Sequence, residues 1–191
     1  MQNGGHTLSY YNSLPNGHWQ NDVIGSPNST YSAPSLVVFH GSDRTRNTGL
    51  AYVVAQGPNH SLMAYANDGG WSGRMIQGTG WVFSAPSLAQ GGAARPAEIA
   101  YRGPSNSVFL FYDSVATRGW VNDVISAATG KVSSAPSLFL RFTSPPGEND
   151  VIVQGTGNTL WYYHAPQPVL ETQAPQFTGS KIAGSGTTFG G

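Results

Sequence analysis

The 191-residue chain carries nine basic and nine acidic side chains, 9% of its residues, so no electrostatic surface for nucleic acid or an anionic membrane is expected. It contains no cysteine, which excludes disulfide bonds and thiolate metal sites. Its 25 glycines, 13 prolines and 12% aromatic residues are typical of many short strands joined by tight turns, which predicts an all-β protein.

The N-terminal segment MQNGGHTLSYY lacks the basic and apolar regions of a signal peptide. No apolar run reaches the roughly 18 residues of a membrane helix. We therefore expect no membrane insertion and leave the location of the protein open, including secretion or action at a cell surface. Two predicted strands follow in this part of the chain, TLSYYN at 7–12 and WQNDVI at 19–24.

The pentapeptide SAPSL occurs three times, at 32–36, 84–88 and 134–138, with spacings of 52 and 50 residues. An aromatic residue begins a strand-like segment 13 to 14 residues before each copy, at Trp19, Trp71 and Trp120, and Phe177 begins a fourth such segment. A fixed period of this length is the signature of a repeat protein.

Each repeat is predicted to form four strands, which we call a, b, c and d: the APSLVVF type, the AYVVAQ type, the SLMAYA type and the WQNDVI type. Strands a to c are apolar nearly throughout, which indicates sheets that are buried on both faces. We predict a β-propeller of four-stranded antiparallel blades, with about three and a half repeats in one array. A half repeat covers 1–31, and full repeats cover about 32–83, 84–133 and 134–191.

The connections divide into a constant and a variable set. The first apolar residue of strand c always lies six positions after the last polar residue of strand b, and the d-to-a connection is nearly constant too. The a-to-b loops that begin at His40, Gln90 and Phe142 differ in length and composition, as do the c-to-d loops. In an up-and-down sheet these two sets emerge at opposite ends, so one end of the repeat array is expected to be regular and the other variable.

The string W…NDVI…SAPSL…DVIVQGTGNTLWYYH resembles the repeats of seven-bladed propeller lectins of the Photorhabdus lectin type. Those repeats share a Trp, a Ser-Ala-Pro segment, a strand that ends in a Gly turn, and a Leu-Trp strand. Here the Leu-Trp pair occurs at Leu160 and Trp161. The resemblance implies a propeller with sugar sites repeated between blades, often for fucose-like monosaccharides.

A sugar site needs an aromatic ring to cover the C–H face of the sugar and planar polar groups to bind its hydroxyls. Each repeat offers such residues in strand d, around the d-to-a connection and in the b-to-c turn, where His6 also lies. The predicted ligand-binding residues are Trp19, Trp71, Trp120, Trp161, Tyr31, Trp81, His60, Asn106, Asn158, Asp22, Arg74 and Asp123. Against this, a repeated Trp is more often a packing residue, and His and Asn are common in turns.

Two other functions stay open, a scaffold for protein interactions and, with less support, a glycosidase. A glycosidase needs a close pair of carboxylates. Glu98 and Asp150 occupy equivalent strand-b positions, but Tyr52 fills that position in another repeat, which fits structure better than catalysis. The five histidines lack metal-ligand spacing, so neither a metal nor another cofactor is expected. We predict glycans as partners and no enzymatic activity.

The repeat count also predicts an oligomer. The chain holds three full units and one half unit, and an open array exposes apolar faces and unpaired strand edges that favour association. We expect a symmetric homo-oligomer, most simply a dimer.

Overall fold

A computed structural model describes residues 5–39, 50–91, 97–114, 119–125, 128, 131–141, 147–166 and 175–187. The parts of the variable a-to-b loops at 40–49, 92–96 and 142–146 lie outside the described residues. The strands are β1 Ser9–Ser13, β2 Trp19–Val23, β3 Ser35–Phe39, β4 Leu50–Gln56, β5 Leu62–Asn67, β6 Trp71–Gln77, β7 Ser87–Gln90, β8 Ala97–Arg102, β9 Val108–Ser114, β10 Gly119–Val124, β11 Ser137–Arg141, β12 Glu148–Gly155, β13 Thr159–Pro166 and β14 Thr178–Ala183.

The strands form antiparallel sheets in which sequence neighbours pair. The orders are β1-β2, β3-β4-β5-β6, β7-β8-β9-β10 and β11-β12-β13-β14. The prediction of an all-β protein with four-stranded antiparallel sheets is confirmed, with the SAPSL segment leading into the first strand of each four-stranded sheet. The chain divides into two compact units, Met1–Val82 with the first two sheets and Phe83–Gly191 with the last two.

In the first unit the two sheets pack face to face through a small apolar core. Leu8 and Ile24, which flank the β1–β2 pair, contact Val53 of β4 and Tyr65 of β5. Tyr10, Met63 and Trp71 are partly buried against this cluster. Because Tyr10 alternates with Tyr11 along β1, only one face of the β1–β2 sheet is covered in this way.

In the second unit the core lies between β7–β10 and β11–β14. Leu110 and Tyr112 of β9 belong to one cluster with Leu140, Val151 and Tyr163 of the following sheet. Near the first strands of both sheets, the Leu138 amide donates a hydrogen bond of 2.9 Å to Ser87 Oγ. Each interface therefore joins a sheet to the next one in the sequence.

The apolar character of the b-type strands is explained by their position inside the sheets. In β8 the residues from Ala97 to Tyr101 are all buried, and in β4 the residues from Ala51 to Ala55 are buried. Consecutive residues of a strand point to opposite faces, so such a run requires cover on both faces. Among the described residues, no helix is long and apolar enough to cross a membrane.

Candidate functional site

The b-to-c turn of each repeat enters the left-handed backbone region at one equivalent position, and Asn59, Ser105 and Gly157, each one residue earlier, also have positive φ angles. The φ angle is 52° at His6, 59° at His60, 52° at Asn106 and 55° at Asn158. Asn and His tolerate this conformation better than most residues do. His60, Asn106 and Asn158 therefore occupy a position with a backbone requirement, and all three are exposed.

The d-to-a connection is fixed by hydrogen bonds to the turns on either side of it. In the first unit, the amides of Thr30 and Tyr31 donate to the carbonyl oxygens of His6 at 3.2 Å and Gln56 at 2.7 Å. The Gln56 amide in turn donates to Ser32 Oγ at 3.0 Å. These bonds hold the start of the SAPSL segment against the end of strand β4.

Equivalent bonds occur at the next connection. Within the first unit, the Val82 amide donates to the His60 carbonyl oxygen at 2.8 Å. Within the second unit, the Phe83 amide donates to the Arg102 carbonyl oxygen at 2.7 Å. The Arg102 amide donates to Ser84 Oγ at 3.0 Å. The serine that begins SAPSL thus has the same acceptor role in two repeats.

The third connection lies wholly in the second unit and keeps the pattern. The Val132 amide donates to the Asn106 carbonyl oxygen at 3.1 Å, and the Ser133 amide donates to the Gln154 carbonyl oxygen at 2.9 Å. The Gln154 amide donates to Ser134 Oγ at 2.9 Å. Connections of constant length therefore form a repeated structure at this end of the sheets.

The last polar residue of each b strand adds a side chain to this structure. Its side chain reaches the exposed residue of the b-to-c turn four positions later. The pairs are Gln56 Nε2 with His60 Nδ1 at 3.0 Å, Arg102 Nη1 with Asn106 Oδ1 at 3.2 Å, and Gln154 Nε2 with Asn158 Oδ1 at 3.2 Å. Sequence reasoning did not name these b-strand residues as ligands, although their constant spacing from strand c marked them.

An exposed aromatic ring lies at the first d-to-a connection, which is bonded to the end of β4. The Tyr31 ring is 44% exposed and stacks on the His6 ring, with centroids 4.5 Å apart and planes 19° apart. The Tyr31 amide donates to the Gln56 carbonyl oxygen, while Gln56 Nε2 contacts His60 Nδ1 and donates to the Val82 carbonyl oxygen. We call the four residues His6, Tyr31, Gln56 and His60 the first junction. It combines an exposed aromatic face with planar polar groups.

Aromatic residues also lie at the second connection, whereas the third has none at the matching positions. Trp81 is 38% exposed, and its amide donates to the His60 carbonyl oxygen at 3.0 Å. The corresponding residue at the third connection is Lys131, whose Nζ lies 5.6 Å from the centroid of the Trp161 ring. The predicted aromatic residue Trp161 is half-buried, and its Nε1 donates to Thr159 Oγ1 at 3.1 Å.

The strand-d tryptophans and the charged residues three positions later do not meet in one site. In β6, Trp71 pairs with Asn67 and Arg74 pairs with Ala64, so the two side chains lie on opposite faces of the sheet. The same register separates Trp19 from Asp22 in β2 and Trp120 from Asp123 in β10. Each combination was predicted from spacing alone. Residues three positions apart in a strand point to opposite faces, so the members of each combination are separated.

The strand-d tryptophans differ in how far they are covered. Trp71 packs on Tyr10 with ring centroids 4.8 Å apart, and Trp120 stacks on Phe111 at 4.9 Å with planes 5° apart. Both are half-buried, while Trp19 is 70% exposed. The packing interpretation therefore fits Trp71 and Trp120 better than Trp19.

The predicted charged ligands have different surroundings. Asp123 accepts a hydrogen bond of 2.8 Å from the Tyr112 hydroxyl, which ties it to the sheet core. Asp22 accepts a bond of 3.2 Å from Gln20 Nε2. Arg74 is exposed on β6. The structure brings none of these three into the first junction.

The candidate carboxylate pair is split between two sheets of the second unit. Glu98 of β8 is fully buried. Asp150 of β12 accepts hydrogen bonds from Arg141 Nε and from the Tyr162 hydroxyl, each at 2.6 Å. Among the residues that the structure describes, no group of three or more His, Asp or Glu side chains could hold a metal ion.

No protein-family model and no curated protein sequence matches the chain. Solved structures do match. One is a crystal structure of AofleA from Arthrobotrys oligospora in a variant with three arginines replaced by alanine. It aligns with a TM-score of 0.59 at 15% sequence identity over 87% of the chain, and the aligned part covers 48% of that protein. At this identity the likeness concerns the fold, and the chain spans about half the length of that neighbour.

Proposed function

We propose that the chain is a carbohydrate-binding protein whose sheets are blades of a β-propeller and whose shallow monosaccharide sites lie at the connections between repeats. The observation that carries the proposal is the first junction. There an exposed Tyr31 ring stacks on His6, and the Tyr31 amide binds the main chain of Gln56, whose side chain contacts His60.

The chemistry of the first junction suits a neutral sugar. The exposed Tyr31 face can cover the C–H side of a pyranose, while amide and imidazole groups exchange hydrogen bonds with its hydroxyls. The resemblance of the repeats to propeller lectins suggests fucose-like monosaccharides. Because one shallow site binds weakly, useful affinity would come from several sites acting together on a multivalent glycan surface.

A glycan array followed by titration with the best monosaccharide tests the proposal. Tyr31→Ala should abolish or strongly weaken monovalent binding at the first junction. Trp19→Ala removes an exposed aromatic residue away from the junction and should leave that binding unchanged. Equal loss in both variants, or equal affinity for free sugar and a multivalent surface, would argue against these sites.

The second candidate function is a non-catalytic scaffold for proteins, favoured by the exposed apolar sheet faces described below. An array without any glycan signal would support it.

We propose that the chain is not a glycosidase, because Glu98 is buried and Asp150 is bound by Arg141 and Tyr162. Turnover of aryl glycosides would overturn that part.

A further inference from the structure

One face of the β1–β2 sheet is apolar and exposed. Tyr11 is 44% exposed, Trp19 70% and Val23 65%. Tyr11 pairs with Asn21, Ser13 with Trp19 and Ser9 with Val23, so the three apolar side chains share a face. Tyr10, on the opposite face, packs into the core of the first unit. We call the exposed surface of Tyr11, Trp19 and Val23 the leading face.

A second group of exposed apolar side chains lies on one side of β11–β14. Phe139 is 62% exposed, Ile152 40% and Ile182 52%. Ile152 pairs with Tyr162, which places the Tyr162 side chain on the same side. The opposite side, with Leu140, Val151 and Tyr163, forms the core of the second unit. We call the surface of Phe139, Ile152, Tyr162 and Ile182 the trailing face.

The repeats show what normally covers such surfaces. In the first unit Trp71 packs on Tyr10, and Tyr65 belongs to the same core cluster as Ile24. Trp71 and Tyr65 lie on the side of their sheet that faces the preceding sheet. Tyr10 and Ile24 lie on the side that faces the following sheet. Sheet packing here is thus a contact between two different surfaces.

Two residues of each face occupy the repeat positions of the residues that form the contact in the first unit. Aligning WQNDVI with WSGRMI and TLSYYN with SLMAYA places Trp19 at the position of Trp71 and Tyr11 at that of Tyr65. Aligning TLWYYH and FTGSKI with the first repeat places Tyr162 at the position of Tyr10 and Ile182 at that of Ile24. Both halves of the internal contact are therefore present as exposed surfaces.

We infer that the trailing face of one copy binds the leading face of a second copy, with Trp19 on Tyr162 and Tyr11 near Ile182. The contact continues the packing between successive sheets, and it is head-to-tail because the two surfaces differ. A scattered exposed apolar residue needs no explanation, but two contiguous surfaces of this kind indicate an interface.

Charge does not oppose the contact. Arg141, Glu148 and Asp150 lie on the same side of the sheet as Phe139 and Ile152, and Arg141 bridges to both carboxylates. One guanidinium and two carboxylates leave a net charge of −1, but each carboxylate is paired with Arg141, so the contact covers no isolated charge. The leading face contains no charged side chain.

Two charge-introducing variants test the inference by analytical ultracentrifugation over a concentration series. Trp19→Arg removes the leading face, and Ile182→Arg removes the trailing face, at positions exposed enough to leave the fold intact. Each variant alone should weaken association by about 100-fold or more, because it places an unpaired charge in the contact. An equimolar mixture should form a 1:1 complex and nothing larger, since it restores one intact pair of faces.

The matched control is Gln20→Arg, which adds the same charge at an exposed position on the opposite side of β2. It should associate as the wild type does. A wild type that stays monomeric at all concentrations would overturn the inference, as would a mixture without complex or a Trp19→Arg variant that associates normally.

Because the chain has no cysteine, a bismaleimide link between Trp19→Cys and Tyr162→Cys in mixed samples adds a direct readout of the pairing. Titration with a monosaccharide tests the proposed sugar sites separately, because it measures binding to one site and not association of the chain.

Discussion

The amide nitrogen of Gln154 donates a hydrogen bond of 2.9 Å to the Oγ of Ser134, twenty residues earlier in the chain. The same hydroxyl donates to the Ala135 carbonyl oxygen at 2.9 Å, so it serves as acceptor and donor at once. Ser32 and Ser84 have the same two bonds in their repeats. The repeated chemistry of SAPSL is therefore local: its first serine joins the segment before strand a to the end of strand b.

Replacing Ser134 by alanine should lower the free energy of unfolding by about 1–2 kcal/mol, because the Gln154 amide loses its acceptor. Urea denaturation measures the loss. Ser134→Thr, which keeps a hydroxyl, should recover most of it. Ser180→Ala, at an exposed strand position, should change stability by less than about 0.5 kcal/mol. Equal effects at positions 134 and 180 would show that the hydrogen bond contributes nothing.

The strand-d tryptophans should contribute to the free energy of unfolding according to how deeply each ring is buried. Trp71→Ala and Trp120→Ala each remove a ring that packs on another aromatic residue, and each should cost about 3 kcal/mol in unfolding free energy. Trp19→Ala should cost much less when measured at a concentration where the chain is monomeric, because that ring is 70% exposed. Unchanged thermal midpoints for Trp71→Ala and Trp120→Ala would mean that both rings are exposed platforms after all.

Much of the sheet architecture could be predicted because the same strand-forming segments recur in the same order in each repeat. Three copies of SAPSL and four aromatic-led segments fixed the order of strands a to d, and the apolar b strands indicated burial on both faces. The site was harder. Spacing placed Asp22 near Trp19 in sequence, but alternation along a strand sends them to opposite faces.

The polar partners of the first junction could be found only in three dimensions. Gln56 served as a landmark for alignment, and its contact with His60 depends on the left-handed turn between them. That turn follows from backbone conformation, which one sequence reports only as a preference for Asn and His. Exposure was equally hidden: Trp19 and Trp71 occupy the same repeat position, and only their neighbours differ.

A glycine in β14 should tolerate no side chain. A Cβ on Gly179 would lie 2.4 Å from a ring carbon of Tyr163, whose buried ring covers this point of the strand. Gly179→Ala should therefore destabilise the fold by about 1–3 kcal/mol through overpacking. Gly184→Ala is the matched control, since nothing lies within 4 Å of its Cβ position. Chemical denaturation of the two variants compares them, and a Gly179→Ala protein as stable as the control would contradict the packing.

Tyr163 and Tyr112 form a matched pair of buried tyrosines with different hydroxyl environments. The Tyr112 hydroxyl donates to Asp123, whereas that of Tyr163 finds no hydrogen-bond partner among the described residues. At pH 7, Tyr112→Phe should cost about 1–3 kcal/mol, because a bond to a carboxylate is lost. Tyr163→Phe should be neutral or slightly stabilising. Thermal denaturation distinguishes the two, and a large loss in Tyr163→Phe would reveal a partner for its hydroxyl.

The same tyrosine makes stability depend on alkaline pH. Burial raises the pKa of the Tyr163 hydroxyl above its ordinary value of 10.0. Below that value both the folded and the unfolded chain keep the proton, so this group contributes no pH dependence. Above it the unfolded chain loses the proton first, and the free energy of unfolding should fall by up to about 1.4 kcal/mol per pH unit until the folded pKa is passed. Tyr163→Phe lacks the titrating group, so its stability should fall less steeply than that of the wild type between pH 9 and pH 11, as urea unfolding at a series of pH values would measure. Parallel curves for the two proteins would mean that Tyr163 ionises as easily in the fold as in the unfolded chain.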